Sequence, residues 1–274
     1  MVPEPIKILL QLSDAHIVPE GQMLSGKVDT RSCLMQAIKQ IKRMKLQPSA
    51  VVITGDLVDD GELQSYAHLK DIISMLDMPV YVLPGNHDRR DHMLQAFPSL
   101  VQDPRMQSAG FIQYTAQVDE LRLVVLDTSV PGEPHGELCD VRLDWLEDVL
   151  AQEPDCPTVV AMHHPPFKTG MAFMDGIRLL KGVPRLEQII ASNHQVQRVV
   201  CGHVHRMCAH AFGGTVAITT PSVAHQMAFQ FLPAEAPSFT FESPGCLLHT
   251  WQASNVCVSS HLMALDDFAG PFSF

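Results

Sequence analysis

The sequence predicts a layered α/β protein, and three observations carry that prediction. Short runs rich in Val, Ile and Leu alternate with stretches of helical periodicity. The 274 residues suffice to bury a sizeable core. Several of the apolar runs stop abruptly in clusters of Asp, Asn and His, which is where α/β proteins place their ligand sites.

The elements follow in order. Residues 6–12 form an apolar run of strand length. Leu34, Ile38, Ile41 and Met44 then recur at helical spacing, with Asp29 and Thr30 as candidate caps. Residues 50–54 are the second strand, and Leu63, Tyr66, Leu69, Ile73 and Leu76 line a second helix. Strands are expected at 80–83, 121–126, 158–162, 197–201 and 215–219, with helices at 143–150 and 186–190 between them. After Pro221 the pattern degrades into Phe- and Pro-rich sequence over 229–244, followed by a strand at 246–250 and a loose tail. We divide the chain into a core over 1–222 and a segment, 223–274, that completes it and offers cap or oligomer contacts.

Composition narrows the function. Hydrophobic residues at 46% and charged residues at 18% exclude disordered, collagenous and coiled-coil proteins. Nineteen Lys and Arg against 30 Asp and Glu leave a net charge of −11, which argues against a nonspecific nucleic-acid binder or an acidic-membrane binder. No apolar stretch approaches the roughly 18 residues that span a bilayer, and the first apolar run lacks a basic leader, so a cytoplasmic protein is expected. Seven scattered cysteines without a CxxC pair read as reduced thiols.

The chemistry lies where the strands end. Their exits read Ser13-Asp14-Ala15-His16, Gly55-Asp56-Leu57-Val58-Asp59, Gly85-Asn86-His87-Asp88, His163-His164-Pro165-Pro166 and Gly202-His203-Val204-His205. A lone histidine after a strand is commonly structural, but convergence of several exits on one sheet edge is not explained that way. Asp14 and His16 share a face, as do His203 and His205, because alternate residues of an extended segment point the same way. Oxygen and imidazole donors suit Mn, Fe, Co or Zn. Seven or eight of them are too many for one ion and suit two ions sharing a carboxylate.

The order D-x-H, G-D-x-x-D, G-N-H-D, H-H-P-P, G-H-x-H resembles the binuclear metallophosphoesterase superfamily from Gln11 to His205. Within it the chain is most similar to bacterial glycerophosphodiesterases and class III cyclic-nucleotide phosphodiesterases. Gly26 and Asp29, the segment Leu143-Asp144-Trp145-Leu146-Glu147, Met174-Asp175, Pro221, His225-Gln226 and the ending Ala269-Gly270-Pro271-Phe272 carry that likeness.

The resemblance implies a four-layer α/β-β-α sandwich with a metal site at the carboxyl ends of the strands. It implies two divalent or trivalent ions (Fe, Mn, Zn or Co), one held by Asp14, His16, Asp56 and His205. The other would be held by Asp56, Asn86, His163 and His203; His163 is chosen over His164 because the family ligand stands two residues before the first proline. The implied reaction is hydrolysis of a small phosphodiester, a 3′,5′-cyclic nucleotide or a glycerophosphodiester, by hydroxide bridging the ions. His87 would bind phosphate or protonate the leaving group, with Asn86 and His225 also contacting substrate.

Asp59 is either the carboxylate partner of His87 or an exposed turn residue; the closest glycerophosphodiesterase pattern has Asn there. Asp60 replaces the arginine with which phosphoprotein phosphatases clamp monoesters, which favours diesters. Met171 and Phe173 either line an enlarged apolar pocket or pack in the core. Homo-oligomers are expected, and nucleic-acid or membrane partners are not. The alternatives are a superfamily nuclease, for which a basic aromatic track is missing, and a scaffold, for which ligand positions would be lost.

Overall fold

The computed structural model describes residues 4–232, 236–270 and 272–273. Pro271 of the C-terminal motif and positions 233–235 of the Phe-rich stretch lie outside the described residues.

The first half runs β1 (Ile6–Leu12), α1 (Thr30–Arg43), β2 (Ala50–Thr54), α2 (Leu63–Ile73), β3 (Val80–Leu83), α3 (Arg90–Ala96), α4 (Pro104–Ala109), β4 (Tyr114–Val118) and β5 (Leu121–Val125). Then come β6 (Gly136–Glu137), α5 (Asp140–Gln152), β7 (Thr158–Ala161), α6 (Ala172–Ile177), β8 (Leu179–Lys181), α7 (Val183–Ser192) and β9 (Val196–Cys201). The chain closes with β10 (Cys208–Phe212), β11 (Thr215–Thr219), β12 (Gln226–Met227), β13 (Phe239–Thr240), β14 (Gly245–Gln252) and β15 (Asn255–Ala264). The tail expected to be loose is therefore largely a strand.

These elements form where local chemistry directs them. Every residue of β2, β5 and β7 is buried, so these strands read as largely apolar runs, as strands covered on both faces must; the exception in β5, Arg122, donates to the Val149 carbonyl at 2.7 Å. Helix α1 starts at Asp29, whose Oδ1 accepts the backbone N–H of Ser32 at 2.9 Å, and buries Leu34, Ala37, Ile38 and Ile41 along one stripe. Lys42 and Arg43 in its last turn complement the helix dipole before Met44 turns extended.

Two sheets make the core. The first has the order β15-β14-β1-β2-β3, with β1, β2 and β3 parallel and β14 antiparallel to β1. The second has the order β10-β11-β9-β7-β5-β4, parallel from β11 to β5 with antiparallel strands at both edges. Helices α1 and α2 pack together beside the first sheet's crossovers, and α5 and α7 beside the second's, giving the four-layer α/β-β-α sandwich. Polar cross-links pin the sheets: Gln11 Nε2 donates to the Cys201 carbonyl at 2.9 Å, and the Tyr114 hydroxyl bonds both the N–H and C=O of Val82. The parallel strands of both sheets end at one edge, which brings all five polar exits together.

Candidate metal centre

The exits of β1 and β2 stay zipped beyond the strands. Asp14 N–H donates to the Gly55 carbonyl, His16 N–H to the Asp56 carbonyl and Ile17 N–H to the Leu57 carbonyl at 2.9–3.1 Å. The second sheet is tied in by the N–H of His203, which donates to both carboxylate oxygens of Asp14 at 3.1 Å. Asp14, His16, Asp56, His203 and His205 all have positive φ, between 45° and 70°, a region that non-glycine residues rarely enter. That backbone turns each side chain into the gap between the sheets. Gly85 is required beside them, since a Cβ there would lie 2.2 Å from Asp56 Oδ1.

Seven donor side chains meet in that gap. His16 Nε2 lies 3.2 Å from His205 Nε2 and 3.6 Å from Asp56 Oδ2. His205 Nε2 lies 3.4 Å from Asp14 Oδ1. On the other side of Asp56, His163 Nε2 lies 3.4 Å from Asp56 Oδ2, 3.1 Å from Asn86 Oδ1 and 3.2 Å from His203 Nδ1. Asp56 thus stands between two groups of donors. Asp14, His16, Asp56, His163, His203 and His205 are all buried.

This arrangement fits cations. His16 Nδ1–H is held by Asp59 Oδ1 at 3.2 Å and His205 Nδ1–H by the His225 carbonyl at 3.0 Å, so in the neutral rings both Nε2 atoms present lone pairs to each other. Two lone pairs at 3.2 Å repel unless a positive charge lies between them. Neighbouring ligands on an ion with metal–nitrogen distances of about 2.1 Å are spaced by about 3.0–3.4 Å. His163 completes the pattern, with Nδ1–H donated to the Thr54 carbonyl at 2.8 Å and Nε2 turned to the cluster. One nitrogen of His203, Nε2, is buried without a hydrogen-bond partner.

The electrostatics agree. Burial disfavours a charged His163, yet the Asp56 and Asp14 carboxylates outweigh it and push the ring up to about 9. Burial works to raise the carboxyl of Asp14, but His205 and His163 prevail and hold it at about 2. Asp56 is likewise held well below the usual carboxylate range against its burial, chiefly by His163 and His87. Burial, reinforced by the neighbouring His163, lowers His203 to about 3. The carboxylates draw positive charge into a buried space, and protons take that place when no cation is bound.

A cavity of about 440 Å³ opens over the cluster. His16, Asp59, Asn86, His87, His203 and His225 line it on the polar side. Asp59 is not an exposed turn residue: its Oδ1 lies 3.2 Å from both His16 Nδ1 and His87 Nδ1. Sequence reasoning missed its contact with His16, because nothing in a linear chain signals one carboxylate shared by two histidines from different exits. His225 stacks edge-on against His205 at 4.6 Å, with Nδ1 buried and unpartnered. His164 lies beside His163 and His203, its ring centroid 4.6 Å from that of His203, but both its nitrogens are taken by Thr128 Oγ1 and the Pro134 carbonyl. Of the two residues proposed for an enlarged pocket, Phe173 lines the cavity, whereas Met171 is buried against Met174 and Val204.

The family model described as calcineurin-like phosphoesterase matches residues 8–207, the stretch that contains all seven donors. The chain belongs to that family. This phosphoesterase is 32% identical over 267 residues to a "Probable glycerophosphodiester phosphodiesterase GpdQ" of Arcobacter nitrofigilis, covering 97% of this chain and 96% of the relative. It is 34% identical over 225 residues to a probable cyclic nucleotide phosphodiesterase of Rhodopseudomonas palustris, covering 81% and 80% of the two chains. A dimetal phosphatase from Danio rerio shares the fold, with a TM-score of 0.65 at 16% identity over 96% of this phosphoesterase and 100% of that chain. No helix among the described residues is long and apolar enough to cross a membrane.

Proposed function

We propose that this phosphoesterase hydrolyses small phosphodiesters, either cyclic nucleotides or glycerophosphodiesters, with two metal ions drawn from Fe, Mn, Zn and Co. Asp14, His16, Asp56 and His205 would hold one ion; Asp56, Asn86, His163 and His203 would hold the other. The observation that carries the reading is the pair of imidazole nitrogens, His16 Nε2 and His205 Nε2, 3.2 Å apart beside the shared Asp56, with each ring's Nδ1 engaged by an oxygen acceptor elsewhere. Bound there, two such ions supply a water acidified toward neutrality and a clamp for phosphate oxygens.

The protein's own residues do the rest. His87 Nδ1–H is held by the Asp59 carbonyl at 2.9 Å, which leaves Nε2 for a substrate in the cavity. Burial disfavours the charged ring, but with no cation bound the Asp56 and Asp59 carboxylates outweigh it and raise His87 to about 10; beside bound ions the Asp59 carboxylate, 3.2 Å from Nδ1, is the partner that would keep the ring an acid. That proton stabilises the phosphate oxygens or passes to the departing alkoxide. Burial lowers His225 to about 3, so it stays neutral and can hydrogen-bond the ester without adding charge. Among the described residues the cavity lining contains no Lys or Arg, so nothing clamps the second charge of a monoester. A cytoplasmic location and self-association through the segment after residue 222 complete the proposal.

The test is elemental analysis paired with hydrolysis of bis(p-nitrophenyl) phosphate. Expected are two ions per chain, activity abolished by chelation and restored by Mn, and loss of both activity and at least one ion in Asp56→Ala. Retention of two ions by that variant would remove Asp56 from the shared position.

A further inference from the structure

The cavity has a second wall that the metal chemistry does not use. Beside the donors stand Phe173, Met174 and Ile177 from α6, and Met227 and Phe239 from the β12/β13 hairpin. Beyond the polar cluster, among the described residues, the lining holds a single polar side chain, Ser25. Resting on the diesterase reading above, we infer that Phe173 and Phe239 are specificity-determining residues that select phosphodiesters carrying a flat, apolar ester group over those carrying a polyhydroxy alcohol.

The wall is fixed in place from both sides. Met171, Met174 and Val204 form a small buried cluster against which Ile177 and Met227 pack, so α6, the hairpin and the loop between His203 and His205 share one apolar seam. Asp175 anchors α6 by accepting from the N–H groups of Thr169 and Gly170 at 2.6 and 3.1 Å. The hairpin is held by Arg206, whose guanidinium donates to the Met227 carbonyl and, at 2.6 Å to each oxygen, to the Glu242 carboxylate. Phe239 sits edge-on to His225 with ring centroids 5.0 Å apart, which places an aromatic surface directly beside the polar cluster. Phe173 is 44% exposed, an uncovered aromatic ring at the cavity mouth.

Such a wall treats two kinds of ester differently. A planar ring removes its own apolar face and those of Phe173 and Phe239 from water together. A glyceryl group presents hydroxyls that lose hydrogen bonds to water on entering, and Ser25 alone cannot replace them. The phosphate charge is common to both, so the retained ester group decides.

The test measures binding to the Mn-loaded protein by titration calorimetry, using diphenyl phosphate, dimethyl phosphate and bis(2,3-dihydroxypropyl) phosphate. The wild-type protein should bind diphenyl phosphate at least about tenfold more tightly than either other ester. Phe173→Ala and Phe239→Leu should each lose about five- to tenfold for diphenyl phosphate only, at unchanged ion content. Phe173 projects from the surface, so its truncation does not endanger the fold. Equal affinities in the wild type, or equal losses for all three esters in both variants, would overturn the inference. Bis(p-nitrophenyl) phosphate hydrolysis by the same preparations separates the two layers. Absent hydrolysis with the binding preference intact defeats the diesterase reading and leaves the apolar wall, and active enzyme without the preference does the reverse.

Discussion

Replacing Gly85 by alanine tests whether the position of Asp56 controls the site. A Cβ at residue 85 would stand 2.2 Å from Asp56 Oδ1 and 2.3 Å from the Asp56 nitrogen, so a carbon–oxygen contact of about 3.2 Å demands a displacement of about 1 Å. The backbone nitrogen cannot swing aside as a flexible side chain could. A shift of that size breaks the 2.9 Å bond from His87 N–H to Asp56 Oδ1 and misaligns Oδ2, which lies 3.4 Å from His163 and 3.6 Å from His16. Misplacement by about 1 Å costs about 100-fold in a site organised by orientation. Gly85→Ala should therefore lower kcat on bis(p-nitrophenyl) phosphate by about 100-fold or more and reduce ion content, while circular dichroism reports a folded chain. A variant within about threefold of wild type, retaining its ions, would show that Asp56 tolerates displacement and that the steric argument is wrong.

Three other perturbations address separate parts of the molecule. His87→Ala should slow diesters with alkyl leaving groups by about 100- to 10,000-fold and p-nitrophenyl esters far less, because p-nitrophenolate departs without a proton; equal losses would restrict His87 to binding phosphate. His249 is fully buried between Gln11 Oε1 and Ser260 Oγ, and burial, then Arg198, lowers it from 6.5 to about 3. The unfolded chain thus takes up this proton first, and stability present above pH 6.5 is lost at about 1.4 kcal/mol per unit as pH falls toward 3. Urea titrations of His249→Gln should lack that share of the acid slope, and curves parallel to wild type between pH 6.5 and 4 would refute it. Gly176 in α6 has nothing within 4 Å of an added Cβ, so Gly176→Ala should raise stability by about 0.4–1 kcal/mol in thermal unfolding, and a lower melting temperature would contradict the helix.

What the sequence concealed has a common physical cause. Of the unpredicted strands, β6, β8, β12 and β13 have only two or three residues, and β4, β10 and β15 are sheet edges, with burial alternating weakly or lost, as in Cys208–Phe212, where only Phe212 is buried. An edge strand need not carry an apolar run, because one of its sides meets solvent. Helices α3 and α4 have seven and six residues and one buried residue each, Met93 and Met106, too few to mark a period. The central strands were legible because burial on both faces forces them to be apolar. The donors were legible because they follow those strands immediately. The apolar wall was only half visible: Phe173 stands beside a motif, but Phe239 and Met227 reach the cavity from a hairpin more than twenty residues beyond His205, and only the folded chain brings them there.

The left-handed backbone at Asp14, His16, Asp56, His203 and His205 sets selection for stability against selection for chemistry. Each of those residues holds a conformation that glycine would adopt at about 1 kcal/mol less strain, and each is buried among charges that a glycine would not carry. A population of variants enriched for heat resistance alone in metal-free medium will drift toward glycine at these five positions and lose the capacity to bind ions. A population enriched for turnover will keep them, and its melting temperature will rise and fall with the metal supplied in the medium.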